Sequence, residues 1–179
     1  MAKRKPKAVR KRRPSARKAR APAVLRVAIA GFGAIGKTVA RKLDRGIPGL
    51  KLVAVSARDL DKARAALTGY KKKPAVVPLG KLPGLAEVIV ECLPAAAFAE
   101  IAIPALKRGR TLVVITVGAL LNHPGLARLA TKHGGRVVVP TGALIGLDAV
   151  RAAAEGEIRS VRMISRKPPR AYDRYEYYW

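Results

Sequence analysis

Residues 24–43 read VLRVAIAGFGAIGKTVARKL, and this stretch decides the fold. It begins with an apolar run at residues 24–30, which predicts a buried strand. A glycine-rich turn follows, and beyond it apolar side chains recur at Ile35, Val39 and Leu43, the spacing of one helix face. A strand, a glycine turn and a helix in direct succession are typical of the first unit of a parallel α/β sheet.

The turn Gly31-Phe32-Gly33-Ala34-Ile35-Gly36 has the G-x-G-x-x-G spacing of dinucleotide-binding domains. In that motif the first glycine permits the tight turn, the second leaves room for a pyrophosphate, and the third lets the helix approach the sheet. The free amides at the helix N-terminus then bind the phosphates, helped by the helix dipole. We therefore expect these six residues to bind a dinucleotide.

The same turn also fits a second motif, because Gly36-Lys37-Thr38 completes the G-x-x-x-x-G-K-T pattern of P-loop NTPases. Two features favour the dinucleotide. The apolar stripe that starts at Ile35 predicts a helix beginning near Ala34, and no apolar strand ends in an Asp suited to a second Mg²⁺ contact. A glycine turn that binds nothing is disfavoured, since each glycine meets a separate need.

The rest of the chain alternates apolar runs with helical patterns. Runs that are apolar on both faces, separated by helices, predict a Rossmann-type doubly wound parallel sheet covered on both sides, with the beginning of a second α/β domain. The further strands are predicted at residues 50–56, 75–78, 87–92, 111–117, 136–139 and 157–166, and the further helices at residues 60–67, 95–108 and 144–154.

The residue that contacts the adenosine ribose is expected about 20 residues beyond the glycine turn, at the end of the second strand. That strand ends in Val55-Ser56-Ala57-Arg58-Asp59, with no acid at the strand end itself. Ser56 and Arg58 could bind a 2′-phosphate, which favours NADP or the use of both NADP and NAD. Asp59 is expected to cap the helix that follows.

The formal charge of +26 has two sources. Residues 1–22 hold 11 of the 37 basic residues and none of the 11 acidic ones, so the remaining chain is basic as well. We expect residues 1–22 to be a disordered tail, either simply solvated, which is favoured, or in weak contact with nucleic acid. A non-catalytic nucleic-acid-binding protein therefore stays open as an alternative function.

The single cysteine, Cys92, excludes an internal disulfide and indicates a reducing compartment, so we expect a cytoplasmic protein. The longest apolar run, residues 112–121, is shorter than the roughly 20 residues of a membrane-spanning helix, and no signal peptide is expected. No Cys/His cluster has zinc spacing, so no metal site is expected.

Six blocks between residues 31 and 169 resemble the aspartate dehydrogenase family in order and spacing. The resemblance implies an NAD(P)-dependent enzyme that converts L-aspartate to iminoaspartate or oxaloacetate plus ammonia, in pyridine nucleotide biosynthesis. It also implies a Rossmann domain followed by a second α/β domain with catalytic residues and a dimer contact. The blocks read GFGAIGKTVARKL, LVAVSARD, VIVECLPAAAF, VITVGALL, VPTGALIGLDAVRAAAEGEIRSV and SRKPP.

The resemblance and the composition together predict a division of the chain into four parts. Residues 23–140 would be the NAD(P)-binding domain and residues 141–169 the start of the catalytic and dimerisation domain. The basic tail, residues 1–22, precedes them. Residues 170–179 hold four of the five tyrosines and the only tryptophan, and this aromatic tail is expected to be foreign to the family.

Carried over by resemblance, the cofactor site extends well beyond the glycine turn. Gly31 through Ile35 would hold the pyrophosphate, Ala143 would contact the cofactor, and residues 116–118 would lie near the same crevice. The residues that would flank the nicotinamide are Cys92, Leu93 and Pro94.

The catalytic residues stay unknown at this stage. In the family, a catalytic histidine and a cofactor-binding asparagine follow the Lys-Pro-Pro block, and this sequence has neither after Pro169. For His123 and His133 we expect surface roles in preference to acid–base catalysis. The sequence therefore resembles a truncated copy of the family, for which we expect cofactor binding with little or no turnover.

Overall fold

A computed structural model describes residues 24–141, 147–162 and 164. The chain divides into two compact units, residues 1–140 and 141–179. The predicted tails, residues 1–22 and 170–179, lie outside the described residues, and so does Ala143. The division into domains with separate roles stays a prediction.

The first unit contains a six-stranded sheet in the order β3-β2-β1-β4-β5-β6. All neighbouring strands pair in parallel. This order reverses direction between β1 and β4, which is the doubly wound Rossmann arrangement and confirms the predicted fold class. The strands are β1 (Leu25–Ala30), β2 (Leu50–Ser56), β3 (Ala75–Val76), β4 (Val88–Glu91), β5 (Thr111–Val114) and β6 (Arg136–Val138).

Helices cover the two faces of the sheet with two separate apolar clusters. Leu43 of α1 and Leu67 beyond α2 share one cluster with Ile29 and Val55. Phe98 and other residues of α4, with Leu126 of α5, belong to the second cluster. The helices of this unit are α1 (Ala34–Arg45), α2 (Leu60–Ala66), α3 (Leu82–Leu85), α4 (Phe98–Lys107) and α5 (Leu126–Lys132), with 3₁₀ turns at Leu79–Lys81, Ala95–Ala97 and Val117–Asn122.

The ends of α1 and α2 follow from local chemistry. Helix α1 begins at Ala34, as the apolar stripe predicted. The Asp59 carboxylate accepts a hydrogen bond of 2.9 Å from the Lys62 amide at the first turn of α2, which confirms the predicted cap.

Several strands are shorter in the structure than the sequence predicts. Strand β5 stops at Val114 because a 3₁₀ turn begins at Val117, and β3 stops at Val76. In the second unit, α6 (Leu147–Ala153) lies within a predicted helix. The predicted strand at residues 157–166 is wrong for residues 157–162 and 164, which form no strand. There Val161 and Ile164 are exposed, and among the described residues no neighbouring strand pairs with this segment. Through the described part of the chain, no helix has the length and hydropathy to span a membrane.

Candidate functional site

The glycine turn joins β1 to α1, and its first and third glycines are closely packed. Gly31 has φ 98°, a conformation that favours glycine, and its amide donates to the Ser56 carbonyl at 3.0 Å. A Cβ atom at Gly31 would overlap the Cys92 carbonyl. At Gly36 a Cβ atom would overlap the Gly31 carbonyl and lie 3.2 Å from Ile29 Cγ2. The first and third glycines therefore serve the tight turn and the close helix packing that the motif predicted.

Gly33 differs from its two neighbours in the motif because nothing lies within 4 Å of the position where its Cβ would be. It is the N-cap of α1, no side chain caps the helix, and the first turn holds no acidic residue. The first-turn amides of a helix have no partner within the helix, so they face the open space at Gly33. A pyrophosphate fits this arrangement, since the space, the donors and the dipole coincide.

The remaining residues of the turn divide into core and surface. Phe32 is buried in the cluster that α1 and α2 share, so its side chain stabilises the domain and its backbone lines the turn. Ala34 and Ile35 are exposed at the start of α1, beside Gly33.

The carboxyl end of β4 forms the other wall of a crevice. The Cys92 amide donates to the Ala30 carbonyl at 2.7 Å, so β4 leaves the sheet directly beside the glycine turn. Cys92 and Leu93 are half-buried, and Pro94 is exposed. In doubly wound sheets ligands bind where neighbouring strands send their chains to opposite faces, and β1 and β4 are that pair here.

The end of β2 lies on the other side of the glycine turn from β4. Ser56 is buried and its carbonyl accepts from Gly31, whereas Arg58 is exposed. The Asp59 carboxylate is engaged with the first turn of α2 and lies 3.5 Å from the Lys62 ammonium. The structure thus brings Ser56 next to the glycine turn.

Glu91 is a feature of the site whose partners the sequence did not identify. It ends β4 and is fully buried. Its Oε1 accepts from the Leu93 amide at 2.6 Å and lies 2.9 Å from Thr116 Oγ1, while its Oε2 accepts from the Thr116 amide at 3.0 Å. The signal available in the sequence was an acid inside an apolar strand, which calls for a partner or a neutral state without naming the partner.

The Cys92 thiol next to this carboxylate stays protonated. Burial raises the pKa of Cys92 to about 11, and the negative charge of Glu91 adds to the rise. Because the thiolate is the nucleophilic form, Cys92 is a poor nucleophile near neutral pH.

The P-loop alternative does not match the geometry. In a P-loop the Lys and Thr stand where the loop enters the helix, whereas Lys37 and Thr38 lie inside α1. The Lys37 amide donates to the Gly33 carbonyl at 3.0 Å, and the Thr38 hydroxyl donates to the Ala34 carbonyl at 3.0 Å. The Thr38 hydroxyl is therefore used within the helix. In the described ranges, no group of three His, Cys, Asp or Glu residues could hold a metal ion.

The two histidines lie in different surroundings. His133 follows α5 as its C-cap, and its carbonyl lies near Gly109, which precedes β5, so this histidine is at the amino edge of the sheet. The half-buried His123 ring stacks on Phe98 with 5.8 Å between the ring centroids.

Comparisons with known proteins agree with this geometry. A profile of the family described as "Homoserine dehydrogenase, NAD binding domain" matches residues 31–140. An L-aspartate dehydrogenase from Bradyrhizobium diazoefficiens is 51% identical over 144 residues, which are 80% of this chain and 51% of that protein. L-Aspartate dehydrogenase 3 from Bordetella bronchiseptica is 49% identical over 146 residues, 81% of this chain and 54% of that protein.

A solved structure shows the same fold. The crystal structure of aspartate dehydrogenase from Thermotoga maritima superposes with a TM-score of 0.53 at 23% identity, covering 73% of this chain and 52% of that one. The chain spans about half the length of the curated relatives that it matches.

Fold and site together define an NAD-binding domain of the Rossmann type, with a nicotinamide dinucleotide, NAD or NADP, as its cofactor. More particularly, the chain belongs to the aspartate dehydrogenase family, as the six sequence blocks predicted.

Proposed function

We propose that this chain binds NADP(H), or both NADP(H) and NAD(H), and serves as the cofactor half of an L-aspartate dehydrogenase. The observation that carries this proposal is the open space at Gly33 in front of the uncapped N-terminus of α1. A linked pair of phosphates is the ligand that such a site stabilises best.

The preference for NADP rests on the end of β2. A domain that selects NAD places a free carboxylate there, which binds the ribose 2′-hydroxyl. Here the nearest acid, Asp59, already accepts from the Lys62 amide, and the residue before it, Arg58, is exposed. We propose that Arg58 and Ser56 bind the 2′-phosphate, because a guanidinium pairs well with phosphate oxygens.

The nicotinamide half would lie against Cys92, Leu93 and Pro94. This segment leaves the sheet beside the glycine turn, on the side away from β2. The protonated Cys92 thiol would present a neutral, weakly polar surface to the ring. Ala143, which the family resemblance adds to the site, lies outside the described residues.

The cofactor accepts or donates a hydride, and the full reaction also needs a group that moves the proton of the amine or imine. The ring of His123 packs against Phe98, and His133 lies at the amino edge of the sheet, opposite the crevice. Within the described part of the chain, neither histidine makes a side-chain contact that would position it for catalysis in the crevice. We therefore propose cofactor binding with little or no turnover of L-aspartate by this chain.

Titration calorimetry with NADPH and NADH tests the binding. We expect heat of binding with NADPH and weaker binding with NADH, and the absence of heat with both cofactors would contradict the proposal. A second measurement follows NADPH oxidation in the presence of oxaloacetate and ammonia, for which we expect little or no rate. Fast turnover would contradict that expectation and direct attention to His123, through its replacement by Gln.

The remaining proposals rest on composition and on the family resemblance. We propose that residues 141–169 begin a catalytic domain with a homodimer contact. For residues 1–22 we favour a solvated segment over one that makes weak nucleic-acid contacts through its charge, and removal of that segment with a salt titration would separate the two. The single cysteine favours the cytoplasm as the compartment.

A further inference from the structure

The unexplained group in this molecule is the carboxylate of Glu91. It is fully buried, and the ion pairs formed within the described residues do not include it. Burying a carboxylate costs free energy that an apolar side chain in the same strand would not cost. Packing of the apolar core therefore gives no reason for an acid at the end of β4, and the reason lies in the groups that donate to it.

The donors to Glu91 indicate what the carboxylate does. They come from two segments that we call the crevice loops, residues 92–94 after β4 and residues 115–118 after β5. The Leu93 amide belongs to the first loop, and the Thr116 amide and hydroxyl belong to the second. The Thr116 hydroxyl also lies 2.8 Å from the Leu93 carbonyl and donates to one of these two oxygens at a time. One side chain thus connects the two loops to each other at the carboxyl edge of the sheet.

We propose that Glu91 is a positioning residue that holds the crevice loops in the conformation that receives the nicotinamide half of the cofactor. This inference rests on the proposed function, because it assumes that the nicotinamide half lies against residues 92–94. Among the described residues the Glu91 carboxylate makes its hydrogen bonds to Leu93 and Thr116 and none to the glycine turn or the end of β2, so we expect the adenosine half of the site to be independent of it.

The substitution Glu91→Gln tests the role with a change of a single atom type. Both carboxylate oxygens accept from backbone amides, so the Gln side-chain NH₂ must face one amide and cannot accept from it. One crevice loop then moves away from its original conformation. Cofactor binding has to restore that conformation, and the free energy that this costs lowers the affinity. Calorimetry should show about tenfold weaker NADPH binding, as expected for one lost acceptor in a buried site.

The distinguishing measurement uses adenosine 2′,5′-bisphosphate as a probe of the adenosine half alone. We expect Glu91→Gln to leave its affinity within about twofold of the unchanged chain, a factor well under 1 kcal/mol. Equal weakening of NADPH and of the bisphosphate would overturn the positioning role, since a general structural defect affects both halves. Unchanged NADPH affinity would overturn it too. The matched control is Glu100→Gln, the same chemical change at an exposed residue of α4, which should alter neither affinity.

Two variants of Thr116 keep the test decisive if Glu91→Gln fails to fold. Thr116→Val removes the hydroxyl and should weaken NADPH binding about threefold without affecting the bisphosphate. Thr116→Ser retains the hydroxyl and should restore the affinity, and a Val variant with full NADPH affinity would overturn the proposal. If the unchanged chain binds neither NADPH nor NADH, the proposed function itself fails, which is a different result from a variant that matches the unchanged chain.

Discussion

Two glutamates near the ends of the same strand show how differently the two edges of this sheet are used. Glu87 precedes β4 at the amino edge, is partly exposed, and forms an ion pair with Arg26 of β1. Glu91 ends β4 at the carboxyl edge, is fully buried, and accepts from two loops. Glu87 forms an ion pair with a solvent-exposed arginine. Glu91 instead accepts hydrogen bonds from two amides and a hydroxyl, and it holds these donors in position. The glutamate at the amino edge connects two strands, whereas the glutamate at the carboxyl edge connects two loops of the candidate site.

The largest effect should come from closing the contact between α1 and the glycine turn. Gly36→Ala places a methyl group onto the Gly31 carbonyl, and because this neighbour is backbone it cannot rotate away. We expect urea denaturation to show a free energy of unfolding that is lower by about 3 kcal/mol. Calorimetry should show that cofactor binding is lost as well. Gly84→Ala in α3 is the matched control, since open space surrounds that position, and it should leave stability nearly unchanged or slightly higher. A Gly36→Ala protein as stable as the control would contradict the close packing of α1.

The second largest effect is expected at Gly33, where a substitution should weaken cofactor binding without lowering the stability of the fold. Gly33→Asp introduces a favoured N-cap residue into open space, so the unfolding free energy should stay the same or rise by a few tenths of a kcal/mol. Its carboxylate would occupy and repel the pyrophosphate position, and NADPH affinity should fall at least about 100-fold, or 2.7 kcal/mol. Gly33→Ser is the uncharged comparison and should lose less affinity. NADPH binding by Gly33→Asp at the original strength would show that the phosphates lie elsewhere.

The reactivity of Cys92 gives a third measure of the carboxyl edge. Because burial raises the pKa of Cys92 to about 11, its thiolate is scarce at pH 8. Alkylation by iodoacetamide should be about 100-fold slower than for an exposed cysteine, and the rate should rise with pH until about pH 11. The urea-unfolded chain serves as the control and should react at the ordinary rate. Rapid alkylation of the folded protein at pH 8 would contradict the burial of this thiol.

The smallest effect is expected at the amino edge. The hydrogen bonds from Arg26 lower the pKa of Glu87 to about 2, from 4.5 in the unfolded chain. A lowered pKa means that this stabilisation is fully present above pH 4.5 and disappears as the pH falls towards 2. Glu87→Gln should lower the melting temperature slightly at pH 7, should flatten the acid side of the stability profile, and should leave NADPH affinity unchanged. An NADPH affinity that changed with Glu87→Gln would show that the two edges are coupled.

Much of the site could be predicted because it is encoded locally. The spacing of the glycines assigned three different roles to Gly31, Gly33 and Gly36, and that spacing is contained within six consecutive residues. The cap at Asp59 and the start of α1 at Ala34 are equally local. Strand ends were less predictable, since residues 115–117 continue the largely apolar sequence of β5 but lie beyond the residues that pair with β6.

The sequence by itself determined the alternation of strands and helices, the glycine turn and the family, because each depends on residues close together in the chain. Only the tertiary structure decided that the Ser56 carbonyl meets the Gly31 amide, that Cys92 lies against the same turn, and that Glu91 accepts from Thr116, 25 residues away. Those contacts join strands that are distant in sequence, and they exist only once the sheet has placed its carboxyl ends side by side. The segment after residue 157 shows the same dependence, since a strand pattern forms a strand only where a neighbouring strand supplies its hydrogen bonds.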